Sequence, residues 1–211
     1  MTLITLFHLN QLINDHRVIP VVKKEDAPVR QQDEANFQLV MKQMFLGLPV
    51  TPLLKTHPQI NQWTQQVQKL APELFQPKIK LLINVPVIAS LNKHAFIQVH
   101  ANIGFKCSIP RLYEWAVRHP ELSWQDRVKL WAVCEQYSVS PNQVQLTVLA
   151  LHSSEPGQRM KMRWSQVQHE QTQQRLSQLI SQSFKETPVL PKVDRSITPM
   201  LDLESIPEVT I

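Results

Sequence analysis

The chain has 211 residues, 43% of them hydrophobic and 18% charged, with a formal net charge of +5. At roughly 100–200 residues per domain that is one domain with an appendage, or at most two small ones. Average glycine usage would place about 15 glycines in a chain this long, and this one has 3. Gly-rich phosphate loops are therefore excluded, because a Walker A or GxGxxG turn needs several residues without Cβ where backbone meets phosphate. Two cysteines, Cys107 and Cys134, build neither a disulfide framework nor a Cys-based zinc site, which fits a reduced, cytoplasmic setting. The N-terminus lacks a basic n-region and a small-residue cleavage site. The longest apolar stretch, Leu81–Leu91, is broken by Asn84 and Pro86 and falls far short of the ~20 residues of a membrane helix.

In chain order, Thr5 is placed to cap a short helix carrying Phe7, Leu9, Leu12 and Ile13, and Lys23 to Gln32 reads as a polar connector. Asp33 is a helix N-cap, followed by Phe37, Val40, Met41, Met44 and Phe45 at helical spacing, with Gly47 as a left-handed C-cap. A further helix starts at Thr56 and ends near Pro72, with Ile60, Trp63, Val67 and Leu70 on one side.

The period then changes from 3.6 to 2. Leu81, Ile83, Val85, Val87 and Ala89 alternate, Leu91–His94 is turn-like, and Ile97, Val99, Ala101, Ile103 and Phe105 alternate again, predicting a hairpin bulged at Pro86. Pro110 opens a short predicted helix through Trp115. Ser123 and Asp126 resemble a capping box for a longer helix ending near Tyr137. A buried strand over Val144–Ala150, a turn at Gly157 and a strand carrying Arg159, Lys161 and Arg163 form a second hairpin. Ser165 and Gln168 cap a Gln-rich helix with Leu176, Leu179, Ile180 and Phe184 as its stripe. Residues 1–186 thus form the domain, and 187–211, with four interspersed prolines, read as a mostly disordered or extended tail. The fold class expected is α/β, a mixed sheet of two hairpins flanked by helices.

Over residues 8–185 the order of these pieces resembles the RecB-like branch of the PD-(D/E)XK nuclease family, which has a restriction-endonuclease-like core. His8–His16 is similar to its opening helix, Asn36–Gln43 with Leu46–Pro49 to its metal-binding-His helix, Ala101–Cys107 to its (D/E)-x-K strand, and Gln125–Trp131 to its Gln-containing helix. The resemblance implies carboxylates holding Mg²⁺ beside a lysine, the metal polarising the scissile phosphate and activating water. This sequence departs from that pattern. Gln38 stands at the helical His, no acid falls between Val87 and Asn92, and Gly104-Phe105-Lys106 replaces (D/E)-x-K. From Leu74 to Tyr113 there is no Asp or Glu at all. The cysteines of the iron–sulfur cluster that many relatives carry are absent too: Asp15-His16 occupies the N-terminal region, and no cysteine follows Ser165. No metal or cofactor is therefore expected, and Gln38 and Gly104 mark degenerate catalytic positions.

What remains is basic. Lys106, Gln125, Arg127, Lys129, Arg159, Lys161 and Arg163 are candidate nucleic-acid contacts. The same residues also read as solvated faces, and the last three as protection of an edge strand. His94, His100, His152 and His169 show no metal-ligand spacing. Ser108, Ser123 and the cysteines show no nucleophile signature. The leading expectation is a catalytically inactive nuclease-like protein, or pseudoenzyme, that binds DNA or RNA or assists a DNA-processing assembly, without a membrane. The first alternative is a cytoplasmic interaction module without a nucleic-acid role, docking a protein partner through the sheet face or through the tail, with its isolated apolar residues Val189, Leu190, Ile197, Met200, Leu201, Ile206 and Val209. The second is a nuclease whose metal is held by relocated acids such as Glu114 or Asp126.

Overall fold

A computed structural model describes residues 2–15, 27–76, 81–106, 108–118 and 121–186. Its elements are β1 (Thr2–Thr5), α1 (Leu6–Asp15), α2 (Ala27–Phe45), α3 (Thr51–Thr56), α4 (Pro58–Leu70), β2 (Leu81–Ser90), β3 (Ala95–Lys106), β4 (Ile109–Ala116), α5 (Trp124–Tyr137), β5 (Gln145–Ala150), β6 (Gln158–Arg163) and α6 (Gln166–Glu186). The fold is α/β: one mixed six-stranded sheet flanked by helices. The tail 187–211, with the docking residues read from its sequence, lies outside the described residues.

The hairpin β2–β3 forms where the alternation placed it. Its irregularity falls between Leu82 and Val85, at Asn84 with φ 50°, and Pro86 itself pairs with His100. The tight point is thus two residues before the proline, at a residue type that tolerates the left-handed conformation.

The segment from Pro110 to Trp115 is a strand and not a helix. β4 is antiparallel to β3 through Asn102↔Tyr113 to Lys106↔Ile109, and parallel to β5 through Arg111↔Gln145 to Ala116↔Ala150. Proline serves at the first helical turn and also at the first residues of a strand. Here Leu112 and Trp115 find opposite faces of the sheet to bury against, which a single helical stripe would not provide.

Two more corrections concern the N-terminal half. Residues 2–5 are a strand, parallel to β3 with Thr2↔Ala95 and Thr5↔Gln98, so the sheet holds more than two hairpins. α2 begins at Ala27, which places Asp33 inside the helix, and the helix predicted from Thr56 is α4, starting at Pro58, with a separate short helix, α3, before it. Gly47 closes α2 as expected, with φ 71° and the Leu48 N–H donating to the Gln43 carbonyl at 3.0 Å.

Two cores sandwich the sheet. On one face β2–β5 pack Ile97, Val99, Leu112, Leu146 and Val148 against α5 and α6, with Trp131 and Leu176 fully buried. On the other, Trp115 and Leu149 pack against α2 and α4 through Phe37, Met41, Trp63 and Val67. Gln66 of α4 ties the β5–β6 loop by donating to the His152 carbonyl at 2.8 Å and accepting from its N–H at 3.1 Å. Gly157 leaves room for that approach: a Cβ there would meet the Gln66 Oε1 at 2.8 Å and the Ala150 carbonyl at 3.1 Å, so the Gln66 side chain would have to shift.

α5 starts on the predicted capping box: Ser123 Oγ accepts from the Asp126 N–H at 3.1 Å, and Asp126 accepts from the Ser123 N–H at 2.9 Å. α6 starts on the same arrangement of Ser165 and Gln168.

Candidate functional site

β2 occupies one edge of β3 along most of its length, so β1 and β4 share the other edge, end to end. β1 reaches Gln98 and β4 starts at Asn102, which leaves residues 99–101 of β3 without a strand partner there. Beyond Tyr113, β4 follows β5 and parts from β3. A cleft opens at this fork. It has a volume of about 700 Å³ and is walled by the first turn of α1, by α2, by β3 and by the start of α5.

Side-chain alternation assigns its walls. Gln98, His100 and Asn102 lie on the sheet face toward α2, whereas Glu114 lies on the face toward α5. Because the strands part at the fork, the cleft reaches both faces. On the α5 side, Gln125 and Lys129 stand four residues apart, hence on one helix face, and both line the cleft. Lys129 Nζ donates to Glu114 Oε2 at 2.6 Å, with both side chains largely buried.

On the α2 side, Gln38 also lines the cleft, but its amide is engaged: it donates to the Trp115 carbonyl at 3.0 Å and accepts from Trp115 Nε1 at 2.8 Å. Asn102 is engaged too, accepting from the Asn84 N–H at 2.9 Å and donating to the Tyr113 carbonyl at 3.2 Å. Lys42, one turn beyond Gln38, is exposed to the cleft, as is His100. Phe7 and Leu39 stand at the rim, 66% and 53% exposed.

Of the residues named from sequence, the cleft brings together Gln125, Lys129 and Gln38 with Glu114, the acid considered for a relocated metal, and His100. The others lie elsewhere. Lys106 is exposed at the far end of β3, paired with Ile109 across the turn, and Gly104 is buried opposite Arg111 and Leu81. Gly104 stands four residues from His100, about 13 Å along a strand. Arg127 does not line the cleft. Arg159 is tied to the Glu73 carboxylate and donates to the Leu70 carbonyl at 3.0 Å; Lys161 and Arg163 are exposed on edge strand β6. Sequence reasoning missed Lys42, Gln98 and the rim residue Phe7. Lys42 carried a signal, standing one helical turn from the singled-out Gln38.

The chemistry available is limited. Among the described residues Glu114 is the only acid lining the cleft, and Lys129 already neutralises it. Asp126, the other acid considered for a metal, is buried and accepts from Ser123 and from Arg118 Nη2 at 2.7 Å. Among the described residues no group of three or more His, Cys, Asp or Glu is placed to hold a metal. Burial pushes the Cys134 thiol up to about 12, which keeps it protonated and unreactive. Among the described residues no helix is long and apolar enough to cross a membrane.

No protein-family model matches this chain, and no curated protein does. A solved structure described as the crystal structure of SSO0001 aligns over 83% of this chain and 84% of its own, at 10% identity and a TM-score of 0.38. A likeness so slight says nothing of what this chain does.

Proposed function

We propose that this protein is a non-catalytic, RecB-like PD-(D/E)XK nuclease relative that binds nucleic acid through the cleft at the fork of its sheet. The observation that carries the reading is the Glu114–Lys129 pair. A hard divalent cation is held by several oxygens, typically with more than one carboxylate among the protein ligands. Here the single acid of the cleft among the described residues already has an ammonium on it. The cleft as a whole is cationic, with Lys42 and Lys129 against Glu114, which favours a phosphate backbone over a metal ion. The motif order noted in the sequence and the loss of its acids agree with a binding role in which phosphate contacts are retained.

The test is a pair of assays on the full chain. Incubation of labelled single- and double-stranded DNA and RNA with Mg²⁺ or Mn²⁺ is expected to leave every strand intact, while retention on the same nucleic acids falls as salt rises. Metal-dependent cleavage that Glu114→Gln abolishes would restore the relocated-ligand nuclease. Absence of salt-dependent retention would remove the binding role and leave the protein-interaction reading.

A further inference from the structure

Strand β6 ends the sheet on the side away from β1, and among the described residues it pairs with β5 alone. Its outer edge therefore carries a row of backbone N–H and C=O groups that no described strand takes up. Alternation gives β6 two unlike faces. Met160 and Met162 pair with Val148 and Leu146 and are half-buried on the α5 side of the sheet. Lys161 and Arg163 share the other face with Arg159, which pairs with Leu149 of the α4-side core. Arg159 is held by Glu73, whereas Lys161 and Arg163 are exposed and in no ion pair among the described residues. A strand that fits this edge needs apolar residues on one face and, on the other, two acids two residues apart.

The chain's own sequence holds such a segment. Between Pro199 and Pro207 runs Met200-Leu-Asp-Leu-Glu-Ser-Ile206, a stretch without proline and as long as β6, Gln158–Arg163, with one residue to spare. In it Leu201 and Leu203 alternate with Asp202 and Glu204, the period of a strand with one apolar and one acidic face. We infer that residues 200–206 of the same chain add to the free edge of β6 as a further strand. Asp202 and Glu204 meet Lys161 and Arg163, and Leu201 and Leu203 continue the methionine face. Because the acids and the cations have the same two-residue spacing, either strand direction brings them together. Opposite charges across neighbouring strands stabilise their pairing and like charges oppose it. The cations thus guard the edge against most chains and leave it open to this acidic one. The reach suffices: α6, with 21 residues, leads away from β6 by about 31 Å, while residues 187–200 extend to about 46 Å. The inference is independent of the nucleic-acid reading.

The experiment is hydrogen–deuterium exchange of the full chain, read on the peptide spanning residues 158–163, with light scattering to give the mass of the species measured. The variants are Asp202→Lys/Glu204→Lys, Lys161→Glu/Arg163→Glu, and the four changes combined. Each double variant is expected to speed exchange of the β6 amides about 2- to 30-fold, the range of two lost cross-strand charge pairs. The quadruple variant, with the charges exchanged across the two strands, is expected to return the rate to that of the wild type, which damage to the fold would not do. Exchange that Asp202→Lys/Glu204→Lys leaves unchanged, or that the exchanged charges do not restore, overturns the inference. Protection confined to a dimeric form assigns the edge to a second copy and overturns the chain's own tail as its occupant.

Discussion

Glu73 shows how a single carboxylate can join parts of the chain far apart in sequence. It sits in the short 3-10 turn Pro72–Phe75 after α4 and meets Arg159 of β6. Burial alone would raise its pKa. The backbone hydrogen bond, the Arg159 guanidinium and the charge of Lys161 outweigh that and hold it below the ordinary carboxylate value of 4.5. A carboxyl whose folded pKa is depressed contributes stability above the unfolded pKa, and that contribution is lost as pH falls through the folded value. Urea midpoints measured from pH 7 to pH 3 are therefore expected to fall less steeply below about 4.5 in Glu73→Gln than in the wild type. With both partners about a quarter exposed, the cost at pH 7 is of order 0.5–1 kcal/mol. The same carboxylate acts on Tyr113: burial chiefly, and then the charge of Glu73, raise the phenol above its usual value against Arg159 and Arg111.

At the scale of elements, the Gln38–Trp115 clamp fixes α2 onto β4 and so sets one wall of the cleft. Gln38→Leu removes both hydrogen bonds and leaves the indole N–H of a buried tryptophan unpaired. Such an orphan costs about 1–3 kcal/mol, to be read from the shift of the urea midpoint at constant m-value.

The elements also show what the sequence could reveal. Alternation located β2, β3, β5 and β6, and Ser123 with Asp126 located α5, because each signal is local and has one physical meaning. β4 was hidden because Pro110 has two meanings, helix start and strand start, and the choice depends on β3 and β5 lying on either side. β1 was hidden because four residues carry too little pattern, and its partner lies some 90 residues away in parallel pairing. The site suffered for the same reason. With β4 taken as a helix, Glu114 could not be placed on the sheet or facing Lys129, and the (D/E)-x-K resemblance settled on the end of β3, away from the cleft. Gln125 and Lys129 were accessible to sequence reasoning because their helix was.

At the scale of the whole molecule, a net charge of +5 gives a general attraction to polyanions, but its distribution gives the function proposed here. Arg159 and Arg118 are absorbed in ion pairs, and Lys161 and Arg163 lie along an edge strand where they also discourage pairing with another chain. Lys129 is likewise held by Glu114, whereas Lys42 is exposed to the cleft. Lys42, and not the overall charge, is thus the cation of the cleft expected to meet a phosphate of the nucleic acid. The measurement that tests this is the slope of log affinity against log salt for a single-stranded probe, in the wild type and in Lys42→Gln, with circular dichroism confirming that the variant is folded. At about 0.7 per phosphate contact on a single strand, the slope is expected to become shallower by about 0.7, with weaker binding throughout. An unchanged slope and affinity would place the nucleic acid elsewhere on the protein and contradict the cleft as its site.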